Sequence, residues 1–321
     1  MVSINKFPII DGHIDTALTI LQQNRKFSER SKIGHCDLAR MKEANVQAAL
    51  FAIESGYTME SLIKSIDIWF KFVSNSDNGL YQIKKWEEFD KIRNSGKVGA
   101  LLHFEGISGM DDEFKLLRLG YHLGLRSMGL TWSNVNKFAT GVRVTTRSQR
   151  KTGLTDMGRA LINEAQALGI SIDVSHLNDQ SFWDLYEITE KPIIATHSNA
   201  RSVCNHPRNL TDDQIKAIHE KHGTIGINFG MKFLDPDHPG EEFTNIGFDV
   251  VKKHIDHIVN LADINTVAIG SDYDGTSIPN CLRDCTKFPF LWQYLLENGY
   301  SKHDINKISH QNLLRVFKDT W

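Results

Sequence analysis

The chain has 321 residues, with 37 Lys and Arg against 39 Asp and Glu, a net charge of −2, and 40% hydrophobic and 24% charged residues. That composition excludes a disordered or collagen-like chain and carries no basic stripe for nucleic acid. Mean hydropathy is −0.32, and no run of about 18 apolar residues occurs, so no membrane span is predicted.

The N-terminal MVSINKFPIIDGH lacks a charged n-region, a long apolar core and a small-residue cleavage site. It does not read as a secretory signal. Apolar runs at 7–13, 46–54, 98–105, 125–132, 170–176, 192–197, 224–229 and 266–272 predict eight strands. They are short and largely continuous, as in strands buried on both faces of a parallel sheet. Helical spacing predicts helices over 59–74, 155–168, 211–222, 247–262 and 302–318, and Asn298-Gly299 closes one more. Thr155 and Thr211 are the expected N-caps, the latter in a capping box with Gln214, while Gly169 and Gly223 are the expected stops. Strands alternating with helices predict a (β/α)₈ TIM-type barrel, with a doubly wound open sheet as the alternative. The barrel demands functional residues at the C-terminal ends of the strands.

Cys36, Cys204, Cys281 and Cys285 are too sparse for a disulfide scaffold. Cys281 and Cys285 could form a redox or metal clip, but no second pair completes a four-ligand zinc site. All four read as free thiols of a reducing cytosol.

The predicted strand ends carry the chemistry. The first closes in Asp11-Gly-His13-Ile-Asp15, the third in His103-Phe-Glu105, the fifth in Asp173-Val-Ser-His176, the sixth in Thr196-His197 and the eighth in Ser271-Asp272-Tyr-Asp274. His13 and Asp15, two apart in an extended segment, point to the same side. His176 and His197 add imidazoles; Glu105 and Asp272 add carboxylates. Taken singly, each has a structural reading: a satisfied core histidine, a helix cap, a buried carboxylate. Together they form a nitrogen and oxygen set without thiolates, which suits Zn²⁺, with Mn²⁺, Co²⁺ or Fe²⁺ as alternatives. Six ligands exceed one tetrahedral ion and suit two ions sharing a carboxylate and a hydroxide. Such a pair activates water and polarises a carbonyl, so hydrolysis of an amide, ester or phosphoester is implied. His103 reads as structural; Asp11, Asp173 and Asp274 read as supports behind the ligands. His219-Glu-Lys-His222 lacks the zincin spacing, and neither a phosphate loop nor a G-x-S-x-G elbow occurs.

The order of these residues resembles the amidohydrolase superfamily, and its details resemble the membrane dipeptidase (renal dipeptidase) family of metallopeptidases. The matching segments are DGHID at 11–15, HFEG at 103–106, GLRSMGLTWSNVNKFATG at 124–141 and GLTDMGRALINEAQALGISIDVSH at 153–176. They continue with ATHSNARSVCNHPRNLTDDQIKAI at 195–218, AIGSDYDG at 268–275 and NLLRVF at 312–317. This span implies a single domain over 1–321. The resemblance implies that His13, Asp15 and Asp272 bind one zinc, that His176 and His197 bind another, and that Glu105 bridges them. It makes Asp272 the general acid/base acting with the bridging hydroxide, and pairs Arg208 with the C-terminal carboxylate of a small dipeptide, a C-terminal D-residue included. It also favours a homodimer.

One position departs from the pattern. Members close to the mammalian enzyme carry a His after the Leu-Thr that closes the fourth predicted strand, proposed to contact the tetrahedral intermediate. Here that residue is Trp132, whose indole offers one N–H donor. Asn134 and Asn136 are candidate substitutes for the missing donor. The competing expectations are an amidohydrolase acting on another ester, amide or lactone, and a weakened metal-binding member. The secretion and lipid-anchor signals of mammalian members are not seen, so a soluble cytoplasmic enzyme without membrane or nucleic-acid partners is expected.

Overall fold

Nine mutually parallel strands are formed among the described residues: β1 Ile9–Ile14, β2 Val46–Glu54, β3 Leu80–Gln82, β4 Val98–Glu105, β5 Leu125–Gly129, β6 Ser171–Asp173, β7 Ile194–Ala195, β8 Thr224–Ile227 and β9 Val267–Ile269. They belong to a computed structural model that describes residues 7–54, 56–93, 95–144, 146, 152–235 and 246–321. The first six residues, read above for a leader, lie outside these. Eight strands run in the order β2-β1-β9-β8-β7-β6-β5-β4, and β4 pairs back onto β2. The sheet is therefore closed, and the open-sheet alternative falls. β3, which the apolar pattern does not predict, shares an edge of β4 with β5: it pairs at Val98–Ala100, and β5 pairs at Leu102–Glu105.

The β2–β4 register is unbroken from Ala48 opposite Gly99 to Glu54 opposite Glu105, which sets two carboxylates side by side at the barrel mouth. Several strands end earlier than their apolar runs. The predicted 170–176 and 266–272 leave the ladder at Asp173 and Ile269 because the chain turns beyond them. His176 (φ 70°) and Asp272 (φ 61°) lie in the left-handed region, which non-glycine residues seldom adopt and which recurs at functional sites.

The helices cover the barrel as their apolar spacing predicts. Thr58 caps Met59–Ser74, whose Trp69 and Phe72 pack against Phe51 of β2 at 5.9 and 5.5 Å between ring centroids. Burying each such ring contributes roughly 1.5–3 kcal/mol. Thr155 caps Asp156–Ala167, and Thr211 forms the expected box with Gln214 ahead of Asp212–Glu220. The predicted 302–318 helix is interrupted by a π-helical stretch, Lys307–Gln311. Just beyond it, the Asn312 amide donates to the carbonyls of Ile264 and Val267 at the start of β9. Among the described residues, no helix is long and apolar enough to cross a membrane.

His254, on the helix Phe248–Leu261, ties two rim loops together. Its Nδ1 accepts from the backbone N of Ala200, and its Nε2 donates to the carbonyl of Leu234. Burial depresses its pKa to about 4. The unfolded ring binds a proton near 6.5. Between these values the unfolded chain holds more protons, so stability falls as pH drops through that window. From pH 7 to pH 5 this ring should cost about 2 kcal/mol of stability. Urea unfolding at both pH values, compared with His254→Gln, checks it; an equal loss in both proteins would exclude the assignment.

Candidate metal centre and active site

The six candidate ligands converge at the C-terminal mouth. His13 and Asp15 come from the end of β1 and Glu105 from the end of β4. His176, His197 and Asp272 follow β6, β7 and β9 within three residues. The ligand atoms of His13, Glu105 and His197, and those of His13, Asp15 and Asp272, form two groups, each within 4.8 Å. The shared His13 Nε2 lies 3.6 Å from both Asp15 Oδ2 and Glu105 Oε1. Glu105 Oε1 also lies 3.0 Å from His176 Nε2 and 3.5 Å from His197 Nε2. The carboxylate of Glu105 thus sits between the imidazoles, where a bridging group would be.

The supports behind the cluster prepare its nitrogens. The Thr196 hydroxyl donates to Asp173 Oδ2 at 2.6 Å, so the hydroxyl oxygen must itself accept from His197 Nδ1 at 2.8 Å. His197 therefore carries its proton on Nδ1 and turns an unprotonated Nε2 to the cluster. Asp173 also accepts from the backbone N of Ser175 and of Thr196, which binds the end of β6 to that of β7. Asp11 does the same between β1 and the segment after β9, accepting from His13 N and from the N and hydroxyl of Ser271. Asp274 accepts from Thr16, Arg25 and the His35 backbone. His103 bonds to Ser127 and lies 3.5 Å from Asp173, consistent with its structural reading.

The electrostatics match a cation site. Burial, then Arg208, depress the pKa of His176; burial, then His13, depress that of His197. Both rings are thus held neutral, the state from which a metal ligand forms, with the two Nε2 atoms 3.0 Å apart. Burial lifts Glu105 well above the carboxylate range, and burial with the neighbouring Asp15 lifts Asp272 to about 6. Burial opposes a charged His13, but Glu105 and Asp15 outweigh it and raise the ring to about 10. The cluster thus holds protons that divalent cations would displace. His13 Nε2 is buried without a hydrogen-bond partner. Gly275 packs so closely on Asp15 and Asp272 that a Cβ there would collide with both carboxylates. The donor set therefore fits divalent metal.

The cluster opens into a cleft of about 500 Å³ lined by Asp15, Glu105, Trp132, His176, Arg208 and Asp272, with Arg143, Lys232 and Phe233 on its walls. A larger depression, about 830 Å³, lies beside Leu21 and Phe72 and holds no such ligand set. Arg208 is 6% exposed, with its guanidinium donating to the His197 carbonyl at 3.1 Å and Ser198 Oγ at 3.4 Å. Its Nε has no partner. The Trp132 ring stacks on His176, centroids 6.0 Å apart, and the Arg143 guanidinium sits 5.0 Å from the indole centroid. Asn134 lies on an adjacent recess, donating to the Tyr57 hydroxyl. Asn136 is consumed by its own loop: its amide donates to Leu130 O and Ser108 Oγ, and its carbonyl oxygen accepts from Phe138 and Ala139. Cys281 donates to Ile246 O, while Cys285 interacts with Cys36 rather than with Cys281.

A sequence model of the membrane dipeptidase family (peptidase family M19) matches residues 3–320. The chain belongs to the membrane dipeptidase family. Similar membrane dipeptidase folds include a metallopeptidase described as dipeptidase AC, 30% identical, with a TM-score of 0.91 and 99% of each chain covered. Another is a metallopeptidase from Rhodobacter sphaeroides liganded with a phosphinate mimic of the dipeptide L-Ala-D-Ala. It is 29% identical, with a TM-score of 0.90, over 99% of this chain and 100% of that one. An uncharacterized protein encoded in the pqqA 5′ region of Klebsiella pneumoniae is 35% identical over 268 residues, 83% of this chain and 98% of its own.

Sequence reasoning missed Asn228, whose amide holds Asp272 Oδ2 at 2.8 Å, and Ser133, whose hydroxyl sits 2.7 Å from His176 Nδ1. Asn228 follows the apolar run TIGI of β8, and a polar residue closing a buried strand was the signal available. Ser133 gave none, because its place depends on how the loop after β5 turns.

Proposed function

We propose that this membrane dipeptidase family member hydrolyses small dipeptides, a C-terminal D-residue included, with two zinc ions per chain. Mn²⁺, Co²⁺ or Fe²⁺ suit the same donors. The observation that carries the reading is a buried, partly unpartnered guanidinium, Arg208, at the wall of a cleft floored by six convergent nitrogen and oxygen ligands. In this proposal His13, Asp15 and Asp272 would hold one ion, His176 and His197 the other, and Glu105 would serve both. The bound ions supply Lewis acidity toward water and the scissile carbonyl.

The side chains supply the rest. Arg208 grips the C-terminal carboxylate and sets the distance from it to the scissile bond, which selects dipeptides over longer chains. Asn228 fixes one oxygen of Asp272. Its other oxygen takes the proton of the attacking water and returns it to the leaving amine. Trp132 covers His176, with Arg143 bringing positive charge to the same wall. The relative bound to a mimic of L-Ala-D-Ala supports the inclusion of D-residues. The active form is proposed to be a cytoplasmic homodimer.

Metal analysis with a dipeptide panel tests the reading. About two ions per chain should be bound, L–L and L–D dipeptides should be cleaved, and a C-terminally amidated dipeptide and a tripeptide should not. Chelation should abolish turnover, and Zn²⁺ should restore it. Two bound ions without dipeptide cleavage would overturn the dipeptidase reading and turn attention to Trp132.

A further inference from the structure

Beside the cleft lies a recess that the roles above leave unused. Glu54 closes β2 directly opposite Glu105, and side chains paired across neighbouring strands project to the same side of the sheet. Glu54, Tyr57, Glu105, Trp132 and Asn134 line a recess of about 10 Å³, the size of one small polar group, and Glu105 and Trp132 also line the main cleft. The recess therefore adjoins the main cleft through these two side chains, whereas Arg208 lines the main cleft alone.

Glu54 is the one exposed residue of β2. Among the described residues no Lys, Arg or His pairs with it; burial, then the Asp15 charge, raise its pKa above the ordinary value. Arg208 likewise has no carboxylate within ion-pair distance and keeps an unpartnered Nε. The site is thus polarised, with the Glu54 carboxylate in the recess beside the ligand cluster and the buried Arg208 cation on the wall of the main cleft. A dipeptide at neutral pH is a zwitterion of the complementary sense, an ammonium at one end and a carboxylate at the other. Two such fixed charges select a molecule by the separation of its termini.

We propose that Glu54 is a substrate-binding residue that pairs with the free α-ammonium of the dipeptide, with the Tyr57 hydroxyl beside it as a second acceptor. This rests on the dipeptidase reading above and adds to it: the enzyme requires a free N-terminus as well as a free C-terminus. Glu54 acts in binding and takes no part in proton transfer.

The test compares L-Ala-D-Ala with its N-acetyl derivative, using the zinc-loaded wild type, Glu54→Gln and Glu54→Asp. A charge-assisted hydrogen bond to an ammonium is worth roughly 10- to 100-fold in binding. Wild type should therefore favour the free amine by about that factor. Glu54→Gln should lose it, chiefly through a raised KM, while turnover of the N-acetyl substrate stays within about threefold. Glu54→Asp should recover part of the preference, which a packing defect would not do. Glu54→Gln with an undiminished preference for the free amine would overturn the proposal and leave the dipeptidase reading intact. A wild type that cleaves neither substrate would overturn both.

Discussion

Arg208→Met should lose on the order of 10³-fold in kcat/KM on free-carboxylate dipeptides and still unfold at a higher temperature than wild type. Both effects have one cause. Burial lowers the pKa of Arg208, and among the described residues the guanidinium meets a carbonyl at 3.1 Å, a hydroxyl at 3.4 Å and the face of Phe233 but no carboxylate within ion-pair distance. A buried charge without an ionic partner destabilises the free protein, and a methionine of similar reach removes that cost. The same charge is held ready for a planar carboxylate, which its fork can bind through two hydrogen bonds. The readouts are steady-state kinetics on a dipeptide and its amide, and melting of the metal-loaded protein. Equal losses on both substrates would mean that Arg208 does not read the carboxylate. A lower melting temperature would mean that its hydrogen bonds outweigh its desolvation.

The second large effect is expected at Asp272. Asp272→Asn keeps the shape, and the amide oxygen still accepts from Asn228, but the side chain no longer takes a proton. A kcat loss of at least about 10³-fold is expected, within the range for removal of a positioned general acid/base. Metal content is measured alongside, because Asp272 is also a proposed ligand. The acid limb of the pH–rate profile should disappear together with the activity. A variant with full metal content and more than about a tenth of wild-type kcat would remove the proton-transfer role. Left-handed backbone at Asp272 adds a check on the choice of substitution, because Asn tolerates that conformation well.

Much of this was legible in the residues. The alternation of short apolar runs with capped amphipathic helices reads as a barrel because a strand buried on both faces has no polar side to show. The closure of β4 onto β2 confirms it. Thr155 and Thr211 were readable as caps because capping is local, set by a side chain three residues from its partner. The six candidate ligands stood out because a barrel offers its strand ends to a single point. His, Asp and Glu closing apolar runs are costly unless something there pairs with them.

Residues that act across the barrel were not legible. Glu54 ended a predicted strand in plain view, but its meaning came from its register opposite Glu105 and from the recess it shares with that residue. Asn136 looked like a spare donor in the sequence, and its loop spends both ends of the amide on itself. Cys281 and Cys285 read as free thiols and are free, but that Cys285 meets Cys36 was not legible, because it depends on the segment ahead of Leu38 folding against the segment after β9.

The sequence by itself determined the strand and helix alternation, the caps, the family and the chemical types gathered at the strand ends. These depend on periodicity and on neighbours within a few residues. Only the tertiary structure decided which nitrogen of His197 faces the cluster, that Asn228 steadies Asp272, and that Arg208 lines the cleft and Glu54 the recess beside it, neither with an ion-pair partner among the described residues. Each of these is a relation between groups distant in the chain, and hydrogen-bond geometry and desolvation exist only once barrel closure has brought them together.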